Sequence, residues 1–133
     1  DAYGTFEVRP CSMHPLVAGL PACTVEDELY WRQHGTEPIE PLLVATSRQT
    51  GTEEPLAWEY AVGNGRVVQS LLGHSAATYE TAPMRAFVRR VVAWCARRAI
   101  RTRPNPSRAA SVGCAAASSA RPSTTATESA AGP

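Results

Sequence analysis

His74 stands on a Gly73-His74-Ser75 corner that ends an apolar, β-branched run, Arg66-Val67-Val68-Gln69-Ser70-Leu71-Leu72. An imidazole exchanges a proton near neutral pH and can act as general acid or base. The glycine beside it lets a ligand approach the backbone. His74 is therefore the catalytic candidate, and its alternative role is a histidine hydrogen-bonded within the fold. His14 precedes Pro15, which holds it extended, in a loop that either reaches the same rim as His74 or caps the turn before Gly19. Glu26-Asp27-Glu28 places Asp27 on the strand face opposite Glu26 and Glu28. Carboxylates accept hydrogen bonds from hydroxyl-bearing ligands well, so Asp27, Glu28 and His14 are the candidate ligand-binding residues. Tyr79, shortly after the corner, is the aromatic candidate.

Other chemistries lack their residues. No H-x-H or H-x-x-x-H pair is present, and Cys11, Cys23, Cys95 and Cys114 form no C-x-x-C, so no metal site is expected. There is no G-x-G-x-x-G or phosphate loop, hence no expected nucleotide cofactor. Trp31, Trp58 and Trp94 are read as packing residues.

The elements that must carry these side chains follow from periodicity. Thr5 to Arg9 alternates like a strand, and Cys11 to Pro21 is a loop punctuated by proline and glycine. Thr24 to Trp31 reads as a strand with acidic residues, and Pro41 to Ser47 as a compact apolar one. Leu56 to Val62 and Arg66 to Leu72 form a hairpin about Gly63-Asn64-Gly65, residues that tolerate the positive φ of tight turns. His74 would then lie beyond a strand's carboxyl end, where open α/β sheets gather ligands. Pro83 opens a helix. Its apolar face is predicted to be Phe87, Val88, Val91, Val92, Trp94, Cys95 and Ala99, with Arg85, Arg89, Arg90, Arg97 and Arg101 opposite.

Charge and composition exclude several partners. The 133 residues carry a net charge of +1, too little to attract nucleic acid or an anionic membrane. All 13 basic residues are arginine, but no aromatic residues interleave with those on the helix, so the helix is read as a solvated cover for a sheet. No apolar run reaches membrane-spanning length and no leader precedes Tyr3, which suits a cytoplasmic protein with an N-terminally incomplete domain. A Cys11–Cys23 disulfide is compatible with the spacing. Residues 1–101 form the expected domain. Residues 102–133, rich in Ala, Ser, Thr, Pro and Arg, offer too little large apolar surface to fold and are expected to be disordered.

An ordered series of segments carries a family resemblance. It begins with His14-Pro15-Leu16-Val17-Ala18-Gly19-Leu20-Pro21 and Val25-Glu26-Asp27-Glu28-Leu29-Tyr30. It continues through Pro41-Leu42-Leu43-Val44-Ala45-Thr46-Ser47, Pro55-Leu56-Ala57-Trp58, Gly63-Asn64-Gly65-Arg66-Val67 and Leu72-Gly73-His74, and closes with Phe87 to Trp94. The series resembles the C-terminal half of the ThuA-like (trehalose-utilisation) domain. The resemblance implies an α/β fold, a flavodoxin-like three-layer sandwich of the class I glutamine amidotransferase kind. It also implies a role in the metabolism of trehalose, related disaccharides or their keto forms. The amidotransferase cysteine elbow has no counterpart, because neither Cys11 nor Cys23 sits in a Gly-x-Cys-x-Gly context. The expected partner is a small-molecule carbohydrate, with self-association left open. Three functions remain: an enzyme with His74 as acid/base and His14, Asp27, Glu28 and Tyr79 contacting substrate, a non-catalytic carbohydrate-binding or assembly module, or an inactive fragment.

Overall fold

The computed structural model describes residues 1–96. Five strands, β1 (Gly4–Pro10), β2 (Cys23–Asp27), β3 (Pro41–Thr46), β4 (Glu53–Val62) and β5 (Gly65–Ser70), form one sheet in the order β2-β1-β3-β4-β5. A short 3-10 turn over Ala76–Tyr79 and the helix α1 (Ala82–Cys95) follow. Every pair of neighbouring strands is antiparallel. β1 divides its pairing: Gly4 to Val8 align with β2, while Arg9 and Pro10 align with β3. A strand shared in this way curls the sheet.

β3 is the innermost strand. Leu42, Leu43, Val44 and Ala45 are all buried, so both of its faces are covered, as its unbroken apolar run predicts. Register shifts against β4 around Leu43 mark a bulge there. β4 and β5 close on a two-residue turn in which Val62 pairs with Gly65. Gly63 takes φ +56° while Asn64 keeps a negative φ. Positive φ at the first central residue alone is the type II′ pattern.

Thr81 caps α1 by accepting from the Met84 amide at 3.4 Å, and Pro83 lies in the first turn. Met84 and Phe87 are buried, and Val91 and Trp94 pack beside them. The core-facing stripe is therefore 84, 87, 91 and 94. Val88, Val92 and Cys95, expected on the buried face, point to solvent, with Val92 63% exposed. α1 meets the sheet at β5, and only this stripe of the helix is covered. Leu16, Val17 and Leu20 from the loop after β1 complete the core. Arg90 ties that loop to α1 by donating to the carbonyl oxygens of Ala18 at 2.9 Å and Leu16 at 3.3 Å. Burial lowers the Arg90 pKa from its ordinary value.

The α/β character expected from the sequence is present as a sheet and a helix. A three-layer flavodoxin-like arrangement is not what residues 1–96 display, since their helical cover is α1 and one 3-10 turn. The acidic strand is also shorter than expected: it stops at Asp27, and residues 28–31 leave the sheet. No disulfide joins Cys11 and Cys23, and the Cys11 thiol donates to the Pro41 carbonyl at 3.1 Å. Burial pushes the Cys23 thiol pKa up. Ala99, Arg97, Arg101, Cys114 and the segment 102–133 lie outside the described residues. Among the described residues no helix is long and apolar enough to cross a membrane.

Candidate functional site

The alternation of β2 turns Val25 and Asp27 inward and Thr24 and Glu26 outward. Asp27 is thereby a carboxylate with 0% exposure, and four donors converge on it. The Gly73 amide (2.7 Å) and the Thr78 hydroxyl (2.8 Å) donate to Oδ2. The His74 amide (3.1 Å) and the Glu28 amide (2.8 Å) donate to Oδ1. These bonds replace the water a buried carboxylate loses. They also fix the chain on either side of His74. Asp27 is thus committed to the corner and offers no surface to a ligand.

His74 itself faces outward, its side chain 52% exposed. Its Nδ1 lies 3.5 Å from Glu28 Oε2, an ion pair when the ring is protonated. The Tyr30 hydroxyl donates to the same Oε2 at 2.8 Å. That bond, before the Glu28 charge, raises the Tyr30 pKa and keeps the phenol a donor. Tyr3 completes the rim: its ring centroid is 5.6 Å from that of His74, and its hydroxyl is 3.2 Å from Ser75 Oγ. An open cleft of 500 Å³ adjoins Glu28 and Tyr30 and is also lined by Asp1, Trp31 and Gln49. The amino-terminal ammonium of Asp1 donates to the Leu29 carbonyl, and its carboxylate accepts from Ser47 Oγ at 2.9 Å and the Arg48 amide at 2.7 Å.

Tyr79 lies under the corner. Its hydroxyl donates to the Leu72 carbonyl at 2.8 Å, and burial raises its pKa. Gly73 takes φ +119°, and a Cβ there would stand 2.7 Å from Tyr79 Oη. The ring supports the corner rather than a ligand.

His14 is not on the His74 rim. Its Nε2 contacts Glu59 Oε1 at 3.0 Å, and its ring meets that of Trp94 edge-on at 4.8 Å. The Leu16 amide donates to Nδ1 at 3.3 Å, which assigns the neutral ring's proton to Nε2. Trp94 is in the last turn of α1, whereas His74 and Thr78 precede its first turn. A 14-residue helix is about 21 Å long, and the two histidines lie toward its opposite ends.

Of the five sequence candidates, the structure therefore brings His74, Glu28 and Asp27 together, places Tyr79 beneath them, and sets His14 apart. Tyr3 and Ser75 were missed on the rim. Tyr3 comes from the pairing of Gly4 with Asp27, which brings the residue before β1 beside the one after β2. Only the strand pairing carries that signal. Among the described residues no group of three or more His, Cys, Asp or Glu is placed to hold a metal ion.

Comparison with known proteins gives a consistent picture. Residues 2–95 match the ThuA family, described as trehalose utilisation. A solved structure described as a ThuA-like protein from Parabacteroides merdae ATCC 43184 is similar at TM-score 0.60 and 28% identity. The match covers 77% of this chain and 42% of that one, so this chain spans less than half the length of that relative. No curated protein matches.

Proposed function

Because the chain belongs to the ThuA (trehalose utilisation) family, we propose that it is a carbohydrate-utilisation domain in which His74, oriented by Glu28, is the acid/base group. The substrate class is trehalose, a related disaccharide or a keto-sugar. The observation that carries this reading is the carboxylate–imidazole pair on an exposed rim, with Nδ1 turned to Glu28 and the ring open to solvent. A carboxylate on one ring nitrogen fixes the tautomer and supports the cation formed when the other nitrogen takes a proton. Nε2 would then take a proton from the bound sugar and return it, while Glu28 holds the imidazolium. The 3.5 Å separation shortens as the charge develops, as pairs in unliganded sites do. Asp27 supports the pair by fixing the backbone of both partners. Tyr30 and Tyr3 supply hydroxyls and ring faces beside it.

A non-catalytic sugar-binding module is the second reading, favoured by the open cleft with Tyr30 and Trp31 on its wall. The two separate in one experiment on the full chain, with turnover of the family's disaccharides and their affinity measured together. His74→Ala is expected to lower turnover by roughly a hundredfold or more, the scale of general acid–base catalysis, with affinity and urea midpoint unchanged. Unchanged turnover removes the acid/base role. If Tyr30→Ala then weakens affinity, the binding module stands.

A further inference from the structure

A second cleft, of 320 Å³, opens at the far end of α1 from His74. Its wall includes His14, Glu40, Glu59, Tyr60, Arg66 and Trp94. Glu59 is pinned from both sides, by His14 Nε2 on Oε1 at 3.0 Å and by the Trp94 indole N–H on Oε2 at 2.6 Å. Arg66 sits over the Trp94 ring, its guanidinium carbon 4.4 Å from the ring centroid, and also donates to the Trp94 carbonyl at 3.4 Å. A purely structural role accounts for the links among His14, Glu59 and Trp94, which fasten the loop and β4 to α1. It does not account for a hollow beside them that also presents Glu40, Tyr60 and Arg66 to solvent.

We infer that this cleft is a second ligand site and that it takes a neutral polyhydroxyl ring, a sugar unit, rather than an ion. Two carboxylates on the wall repel an anion. A cation finds the face of Trp94 already covered by Arg66 and the opposing guanidinium charge beside it. A neutral polyol meets neither penalty. Its hydroxyls donate to Glu40 and Glu59 and accept from Arg66, charge-assisted bonds of the stronger kind. Tyr60, 47% exposed, offers a ring surface for the apolar edge of the sugar. Glu59 and Arg66 are held before any ligand arrives, so little side-chain freedom remains to be lost on binding. The ligand class follows from the wall of this cleft and does not depend on the role of His74.

The Trp94 indole N–H reports directly on the site. In the full 133-residue chain its proton–nitrogen resonance, assigned by its loss in Trp94→Phe, is followed while trehalose, maltose or inorganic phosphate is added. A saturable shift with either sugar and none with phosphate is the expected result. Glu59→Gln and Glu40→Gln should each weaken the apparent sugar affinity by roughly tenfold, the effect of losing one charge-assisted hydrogen bond. Glu40 is exposed, so its variant keeps the test valid if Glu59→Gln does not fold. His74→Ala should leave the shift unchanged, which separates this cleft from the acid/base rim. The inference is overturned if neither sugar moves the resonance, if phosphate alone does, or if Glu40→Gln and every folded Glu59→Gln sample bind as the parent does.

Discussion

Asp27 contributes to the candidate site without touching its surface. Two backbone amides of the corner, one of Glu28 and the Thr78 hydroxyl all donate to it. Asn at this position keeps one oxygen but turns an amide group toward donors that need an acceptor. Bonds to a buried charged group are worth about 1.5–3 kcal/mol each, so Asp27→Asn should cost about 3 kcal/mol or more in urea unfolding. A loss below about 0.5 kcal/mol, the scale of surface changes, would refute this assignment. Tyr79 carries a pH signature of the same corner. Burial lifts its pKa above the ordinary 10.0, opposed in part by a hydrogen bond from Ser70 and helped least by the Asp27 charge. The stabilisation tied to its neutral form is therefore complete below pH 10.0 and is lost as pH rises through the elevated folded value. Tyr79→Phe should cost about 1 kcal/mol at neutral pH, from the lost bond to Leu72. Above that range its urea midpoint should fall less steeply than the parent's, and an equally steep alkaline fall would contradict the assignment. Sequence alone made the acidic triplet and His74 visible, because alternation and corner glycines are local. It could not show that Asp27 is spent on the backbone or that His14 serves Glu59, because those partners are 46 and 45 positions away.

The strands and the helix were legible because their signals are also local: alternation in β1 and β2, an unbroken apolar run in β3, and a Gly-Asn turn between β4 and β5. The helix was legible in its start at Pro83 but not in its rotation. The apolar residues run through an arc of 87, 88, 91, 92, 94 and 95, but only the 84-87-91-94 stripe is covered. Turns make a sharper test of element geometry. Gly63 and Gly73 both take positive φ, but nothing lies within 4 Å of a Cβ at Gly63. Gly63→Ala should therefore cost only the backbone penalty of a side chain at positive φ, about 1–3 kcal/mol. Gly73→Ala adds a Cβ 2.7 Å from Tyr79 Oη and must displace the ring or the corner. Overpacking of that kind costs about 1–3 kcal/mol more. Paired denaturation curves check the difference, and equal losses at the two glycines would mean that Tyr79 does not brace the corner.

At the scale of the whole chain, family membership and the antiparallel β4–β5 hairpin were legible, while the direction of the other strand pairs was not. Hydrophobic periodicity reports which residues are buried but not whether neighbouring strands run parallel. Here the residues between β3 and β4 and between β4 and β5 are few enough that only antiparallel returns are available to those neighbours. The curled sheet and α1 share one core, a single cluster in which Met84 and Phe87 of α1 join buried residues of β1, β3, β4 and the loop after β1. If that core is a single cooperative unit, Phe87→Ala should cost about 3–5 kcal/mol, a large part of the stability of a domain this size. Far-UV circular dichroism follows the helix and the sheet together, and fluorescence of Trp31 and Trp58, read in a Trp94→Phe background, follows the sheet side. Both transitions should move to lower urea together with an unchanged slope, since the surface exposed on unfolding is the same. Helical signal lost at low urea, with the fluorescence midpoint left at the parent value, would show that α1 is a detachable cover. The two candidate sites would then respond differently. The His74 rim hangs on Asp27 and the 3-10 turn and would survive helix detachment, whereas the Glu59 cleft would lose Trp94 and the stacked face that holds Arg66.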